Sequence, residues 1–261
     1  MEYIPSFINE YHIDELVKLN QLETLFKKWF KFAKDFRYVK DYSATDMVFD
    51  GFYPYYFKQK TKVLYIGREG RGLTGYNYID AMYSKYKEQY IGNQHINASF
   101  FHKRLFYITY GLNCNFSKWS DIPWASDLTE KFATAEGISF AYMNISKFCN
   151  ESEDWQSDWE LIQSFYDTAI NNDINFINKE IEILNPDVII TMNLGSEIIQ
   201  SFGDIKNLHQ STRVNEYILK LNSKNALVLD TFHFTAPNKD DLNDFYNPIL
   251  NACKKFFKFN S

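Results

Sequence analysis

Four short apolar runs constrain the fold of this chain more than any other feature. They are Val63-Leu64-Tyr65-Ile66, Ser139-Phe140-Ala141-Tyr142-Met143, Val188-Ile189-Ile190-Thr191-Met192 and Ala226-Leu227-Val228-Leu229-Asp230. Each is rich in strand formers and nearly continuous in apolar character, as expected of strands covered on both faces. Helical periodicity lies between them. Residues 159–184 carry Leu161, Ile162, Phe165, Ala169, Ile177, Ile181 and Leu184, and residues 194–203 predict a short helix after Asn193-Leu194-Gly195. Strands alternating with helices predict right-handed βαβ units and an α/β fold on a parallel sheet of four strands.

Before the first run, Leu16, Leu19, Leu22, Leu25, Phe26, Trp29, Phe30 and Phe32 recur at roughly helical spacing, and Asp50-Gly51 and Pro54 end the pattern. Residues 1–60 therefore read as a helical N-terminal extension to a core over 61–256. No linker or repeat divides the chain, so a single domain is expected, and 261 residues can bury a sizeable core.

In a parallel sheet, ligands bind beyond the carboxyl ends of the strands. The first run leads into Gly67-Arg68-Glu69-Gly70-Arg71-Gly72, the second into Asn144-Ile145-Ser146-Lys147, the third into Asn193-Leu194-Gly195, and the fourth into Thr231-Phe232-His233-Phe234-Thr235-Ala236-Pro237-Asn238. A carboxylate, an amide and an imidazole thus converge on one sheet edge, beside glycines that let backbone approach a ligand closely. Singly, each has a structural reading. The glycine loop is an ordinary turn or a weak phosphate loop without the Lys-Ser/Thr of a Walker motif. Glu69 reads as a solvated acid, Asn144 as a turn residue and His233 as a satisfied structural histidine. Their joint placement favours a site.

Composition narrows the partners. A net charge of −5 gives no support to a generally basic nucleic-acid binder, although a local basic groove is compatible with it. Cys114, Cys149 and Cys253 make no metal-binding spacing, and an odd, sparse cysteine count suits reduced thiols and a cytoplasmic location. The N-terminus has no signal-peptide pattern and no stretch approaches a membrane span. With 24 Phe and 19 Tyr, most rings are expected to pack the core and a few to stack on bases.

The strand-end residues resemble the motifs of the uracil-DNA glycosylase superfamily. V-L-Y-I-G-R-E-G-R-G stands where the family has Gly-Gln-Asp-Pro-Tyr or Gly-Glu-Ala-Pro-Gly, F-A-Y-M-N-I-S-K-F matches the strand leading into Asn, N-P-D-V-I-I-T-M-N-L-G-S resembles the third segment, and V-L-D-T-F-H-F-T-A-P-N resembles the His-Pro-Ser region, with Phe234-Thr235 replacing Pro-Ser. The resemblance spans about residues 60–256 in order, while residues 1–60 have no counterpart. It implies a three-layer α/β/α fold with a central four-stranded parallel sheet, and a DNA partner whose target nucleotide is flipped into a pocket.

By that resemblance Glu69 takes the family's carboxylate position, stabilising an oxocarbenium-like sugar or orienting a water, and His233 donates to the base oxygen that gains charge. Asn144 reads the pyrimidine edge. Gly67, Arg68 and Arg71 line the base site, Tyr76 or Tyr78 stacks on the base, and Lys147, Asn238 and Lys239 are expected DNA contacts, with a salt bridge near Asn144 as the other reading of Lys147. No metal or cofactor is called for, and a monomer is the family default. Arg71 replaces the Tyr that crowds carbon 5 in uracil-specific members. Together with the likeness to bacterial anti-phage glycosylases, this extends the expected substrate from uracil to bulky modified cytosines such as glucosylated hydroxymethylcytosine. A nucleotide- or modified-base-binding sensor of the same fold, or a hydrolase of free nucleosides or nucleotides, is the alternative.

Overall fold

The structure, a computed structural model, describes residues 3–35, 42–153, 156–170 and 173–260. The chain runs through α1 (Leu16–Ala33), β1 (Gly51–Phe52), β2 (Val63–Gly67), α2 (Tyr78–Glu88), a small hairpin of β3 (Tyr90–Ile91) and β4 (Gln94–His95), α3 (Phe100–Asn113) and α4 (Ala125–Glu130). It continues through β5 (Ala141–Asn144), α5 (Trp159–Ile170), α6 (Phe176–Leu184), β6 (Val188–Met192), α7 (Ser196–Gln200), β7 (Asp204–His209), β8 (Val214–Lys220), β9 (Asn225–Thr231) and α8 (Asn247–Asn260). No helix among the described residues is long and apolar enough to cross a membrane.

The fold is mixed α/β. The four expected strands lie side by side and parallel in the order β5-β2-β6-β9, but the sheet has seven strands rather than four. Antiparallel β1 is added beyond β5, and the antiparallel pair β8 and β7 is added beyond β9. These strands escape the sequence pattern for physical reasons. β1 has only two residues, and β7 is almost wholly exposed, so neither carries an apolar run. β8 alternates between buried and part-exposed positions, as an antiparallel strand near an edge does.

Helices cover both faces. Leu64, Ile66, Met143 and Ile189 point to the layer holding α1, α5 and α6, while Val63, Tyr65, Tyr142 and Ile190 point to the layer holding α2, α3 and α8. This is the period-two alternation of strands buried on both sides. The stretch over 159–184 forms two helices. The second is started by the Asn175 side chain, which accepts from the Asn178 amide at 2.9 Å, and stopped by left-handed Asn185 before Pro186.

The N-terminal region is wound into the same core rather than appended to it. Leu19, Leu22, Phe26 and Trp29 of α1 bury against the sheet layer. Glu15, fully buried, accepts from the Tyr55 and Phe57 amides at 2.8 Å each. Val48 donates its amide to the Lys147 carbonyl at 2.7 Å, so this region touches the loop after β5 directly.

Candidate functional site

The carboxyl ends of β2 and β5 are in register, with Gly67 opposite Asn144. A β-carbon at Gly67 would lie 2.4 Å from the Tyr142 hydroxyl and 2.5 Å from Asn144 Oδ1, so only glycine lets the Asn144 amide lie across this strand end. Tyr142 donates its hydroxyl to Asn144 Oδ1 at 3.2 Å and stacks on Tyr78 at 4.5 Å. Asn144 is 1% exposed, and its Nδ2 has no partner. A buried donor left unpaired costs about 1–3 kcal/mol, which a ligand acceptor would relieve.

Glu69 is half-buried two residues beyond β2. Its Oε1 accepts from the Asp158 amide at 3.3 Å. Burial raises its pKa above the ordinary carboxyl value, against the opposing pull of the Asp158 amide, Arg68, Asn150 and Arg71. Arg68 lies beside it, donating to Ser157 Oγ at 3.0 Å and to the Asn193 carbonyl at 2.9 Å, with its guanidinium 4.7 Å from the Trp159 ring centre. One arginine therefore ties together the ends of β2, β6 and the start of α5.

His233 closes the site from the loop after β9. Its Nδ1 accepts from the Thr235 amide at 3.3 Å and lies 2.8 Å from the Thr235 hydroxyl. Burial, and then the nearby Arg68 charge, lower its pKa to about 4. The imidazole is thus neutral at ordinary pH, and with Nδ1 accepting, its proton sits on Nε2, free to be donated. Phe101, at the start of α3, lies 5.9 Å from the His233 ring and 6.3 Å from Tyr142.

Several expected site residues are placed differently. Lys147 is no surface contact for DNA. It is fully buried, 2.6 Å from Asp50 Oδ1 and 2.8 Å from Glu180 Oε2, because a buried ammonium needs counter-charges. Tyr78 cannot stack on a base, since its ring is 6% exposed and lies against Tyr142. Tyr76 is 65% exposed. Arg71 donates to the Ser152 and Gln156 carbonyls at 3.0 and 2.9 Å, and its charge acts on Glu69. Asn238 is exposed with left-handed backbone, and Lys239 Nζ lies 3.8 Å from the centre of the Phe232 ring.

Three residues important to the site stand outside the motif reading. Asp50 accepts from the Asn144 amide at 2.7 Å. Buried Arg104 pairs with Asp241 at 2.7 Å and donates to the carbonyls of Phe234 and Lys239, pinning the loop that carries His233. Phe101 lies near both His233 and Tyr142. The motifs at the strand ends mark none of the three, and Asp50 enters the sequence only as part of the Asp50-Gly51 break.

The carboxyl ends of the parallel strands carry a raised carboxyl, a neutral imidazole, an unpaired amide NH₂ and, near the imidazole, an aromatic ring. Such a set can bind a flat heterocycle, donate to its oxygens, and act on a bond beside it. Compared with known proteins, the chain matches no family model and no curated protein.

Proposed function

We propose that this protein is a monofunctional DNA glycosylase, with a fold of the uracil-DNA glycosylase kind, acting on a flipped-out pyrimidine. One observation carries the reading: the buried, unpartnered Asn144 amide at the carboxyl edge of a parallel sheet whose other strand ends lead into Glu69 and His233. The order of the four parallel strands and their end residues supports it, as does the resemblance of their motifs.

In this reading the pyrimidine lies against Phe101. Asn144 Nδ2 donates to an acceptor on the base edge, O4 of uracil or N3 of a cytosine. The bond between C1′ and N1 breaks, and its electron pair goes to the base, where charge grows on O2. His233 Nε2–H donates to that oxygen in a site of low polarity. Glu69, ionised, steadies the cationic sugar and orients the water whose oxygen bonds to C1′. The water's proton ends on the departing base, leaving an abasic site. Arg71 stands where uracil-specific relatives carry the crowding Tyr, and the absence of that ring favours admission of a substituent on carbon 5.

The test is base release from uracil-containing DNA and, separately, from DNA carrying hydroxymethylated or glucosylated cytosine, scored as alkali-labile sites. Release by the wild type, lowered about 100-fold or more in Glu69→Gln and Asn144→Ala, is the expected result. A folded protein that releases no base from any of these DNAs overturns the proposal.

A further inference from the structure

Two large exposed rings flank the crevice from opposite layers of the fold. Trp159, 44% exposed, opens α5 on one face of the sheet; Phe100, 59% exposed, opens α3 on the other. Each is one step from the site. Trp159 covers the guanidinium of Arg68, which neighbours Glu69, and Phe100 precedes Phe101, which faces His233. Each ring is also backed by a cation: Arg68 at 4.7 Å from Trp159, and Lys103 at 5.0 Å and Arg104 at 5.5 Å from Phe100.

These cations are already engaged. Lys103 and Arg104 both pair with Asp241 at 2.7 Å, and Arg68 is held by Ser157 and the Asn193 carbonyl. Lys103 and Arg104 share one carboxylate and Arg68 meets only neutral acceptors, so the mouth keeps a small positive charge, modest for a duplex backbone, on a chain whose net charge is −5. What the mouth offers is ring faces, made electron-poor by the cations behind them. Bases present such faces to a protein only when they are unpaired and unstacked, and a ring–base stack is indifferent to which base it meets.

We propose that the mouth of this crevice is a binding surface for an unpaired DNA strand, whose bases stack on Trp159 and Phe100 on either side of the nucleotide entering the site. The occupant rests on the glycosylase reading. It adds that the strand is held mainly by stacking rather than by phosphate neutralisation. Lys239, over Phe232 on the loop that carries His233, is a cation suited to a backbone contact.

Fluorescence anisotropy with the full-length protein tests this. The probe is a labelled single-stranded oligonucleotide of ordinary bases, compared with the same sequence annealed to its complement. The single strand is expected to bind about tenfold tighter or more, with Trp159→Ala and Phe100→Ala each weakening it about tenfold and Trp159→Phe and Phe100→Tyr retaining it. Because both rings are exposed, the alanine variants should melt as the wild type does. The salt dependence should be shallow, corresponding to about two phosphates or fewer. A duplex bound as tightly as the single strand, alanine variants that bind normally, or a steep salt dependence overturns the proposal. The probe carries no excisable base, so the two readings fail separately. Base release without a preference for single strands defeats this proposal alone, and single-strand binding without base release from any DNA defeats the glycosylase reading alone.

Discussion

Asp50 holds Asn144 from behind: its Oδ2 accepts from the Asn144 backbone amide at 2.7 Å, and both residues are buried. Its other oxygen lies 2.6 Å from Lys147 Nζ, so one side chain from the N-terminal region sets the end of β5 and anchors a buried charge cluster. Asp50→Asn removes the charge from this contact while keeping its shape. A hydrogen bond to a charged group is worth about 1.5–3 kcal/mol, and the Asn144 amide depends on this one for its place. Base release by Asp50→Asn should therefore fall about tenfold or more in single-turnover assays. Activity equal to the wild type would remove Asp50 from the site.

The Asp50–Lys147–Glu180 cluster makes a prediction about stability. Lys147→Met leaves two carboxyls buried without their cation, which should cost about 3–5 kcal/mol in urea unfolding. Were Lys147 instead a contact to DNA phosphate, the same variant would unfold normally and lose affinity.

Glu180 gives that cluster a pH signature. Burial first, and then the Asp50 charge, raise its pKa well above the ordinary value, against the opposing pull of Lys147. A raised carboxyl contributes stability that is present below its unfolded value, near 4.5, and is lost as pH rises through the folded value. Glu180→Gln, a neutral substitute, should melt close to the wild type below about pH 4.5 and should flatten the fall in stability as pH rises above it. The melting temperature measured across that range decides it.

Catalysis should follow Glu69. Its carboxyl must be ionised, and its pKa is raised chiefly by burial, so the rate is lost as pH falls through a value above the ordinary 4.5. His233, lowered to about 4, adds no limb above that region. Arg68→Ala removes a charge that lowers both groups, and should move the acid limb of the rate profile to higher pH. A profile unchanged by this substitution would separate Arg68 from the site's electrostatics.

Arg104 makes several contacts to one loop, and lysine cannot reproduce them. Arg104→Lys should lower stability by about 1–3 kcal/mol and speed proteolysis between residues 234 and 241, with base release reduced through the misplacement of His233. Intact loop protection with normal release would show that the pinning is dispensable.

The amino-acid sequence by itself determined the four central strands, because a strand buried on both faces must be apolar throughout, and that run is visible locally. It also determined which residues stand at the strand ends: Gly67, Glu69, Asn144 and His233 follow directly from where the runs stop. Tertiary structure decided the rest. The edge strands β1, β7 and β8 have no continuous apolar signal, since they are short, exposed or half-solvated. A lysine three residues past Asn144 has the same letters whether it faces solvent or two buried carboxyls. Only the packing of Asp50 and Glu180, 97 residues before and 33 after it in the chain, turned Lys147 inward. Side-chain direction depends on partners brought from far along the chain, and those partners are settled only when the layers pack.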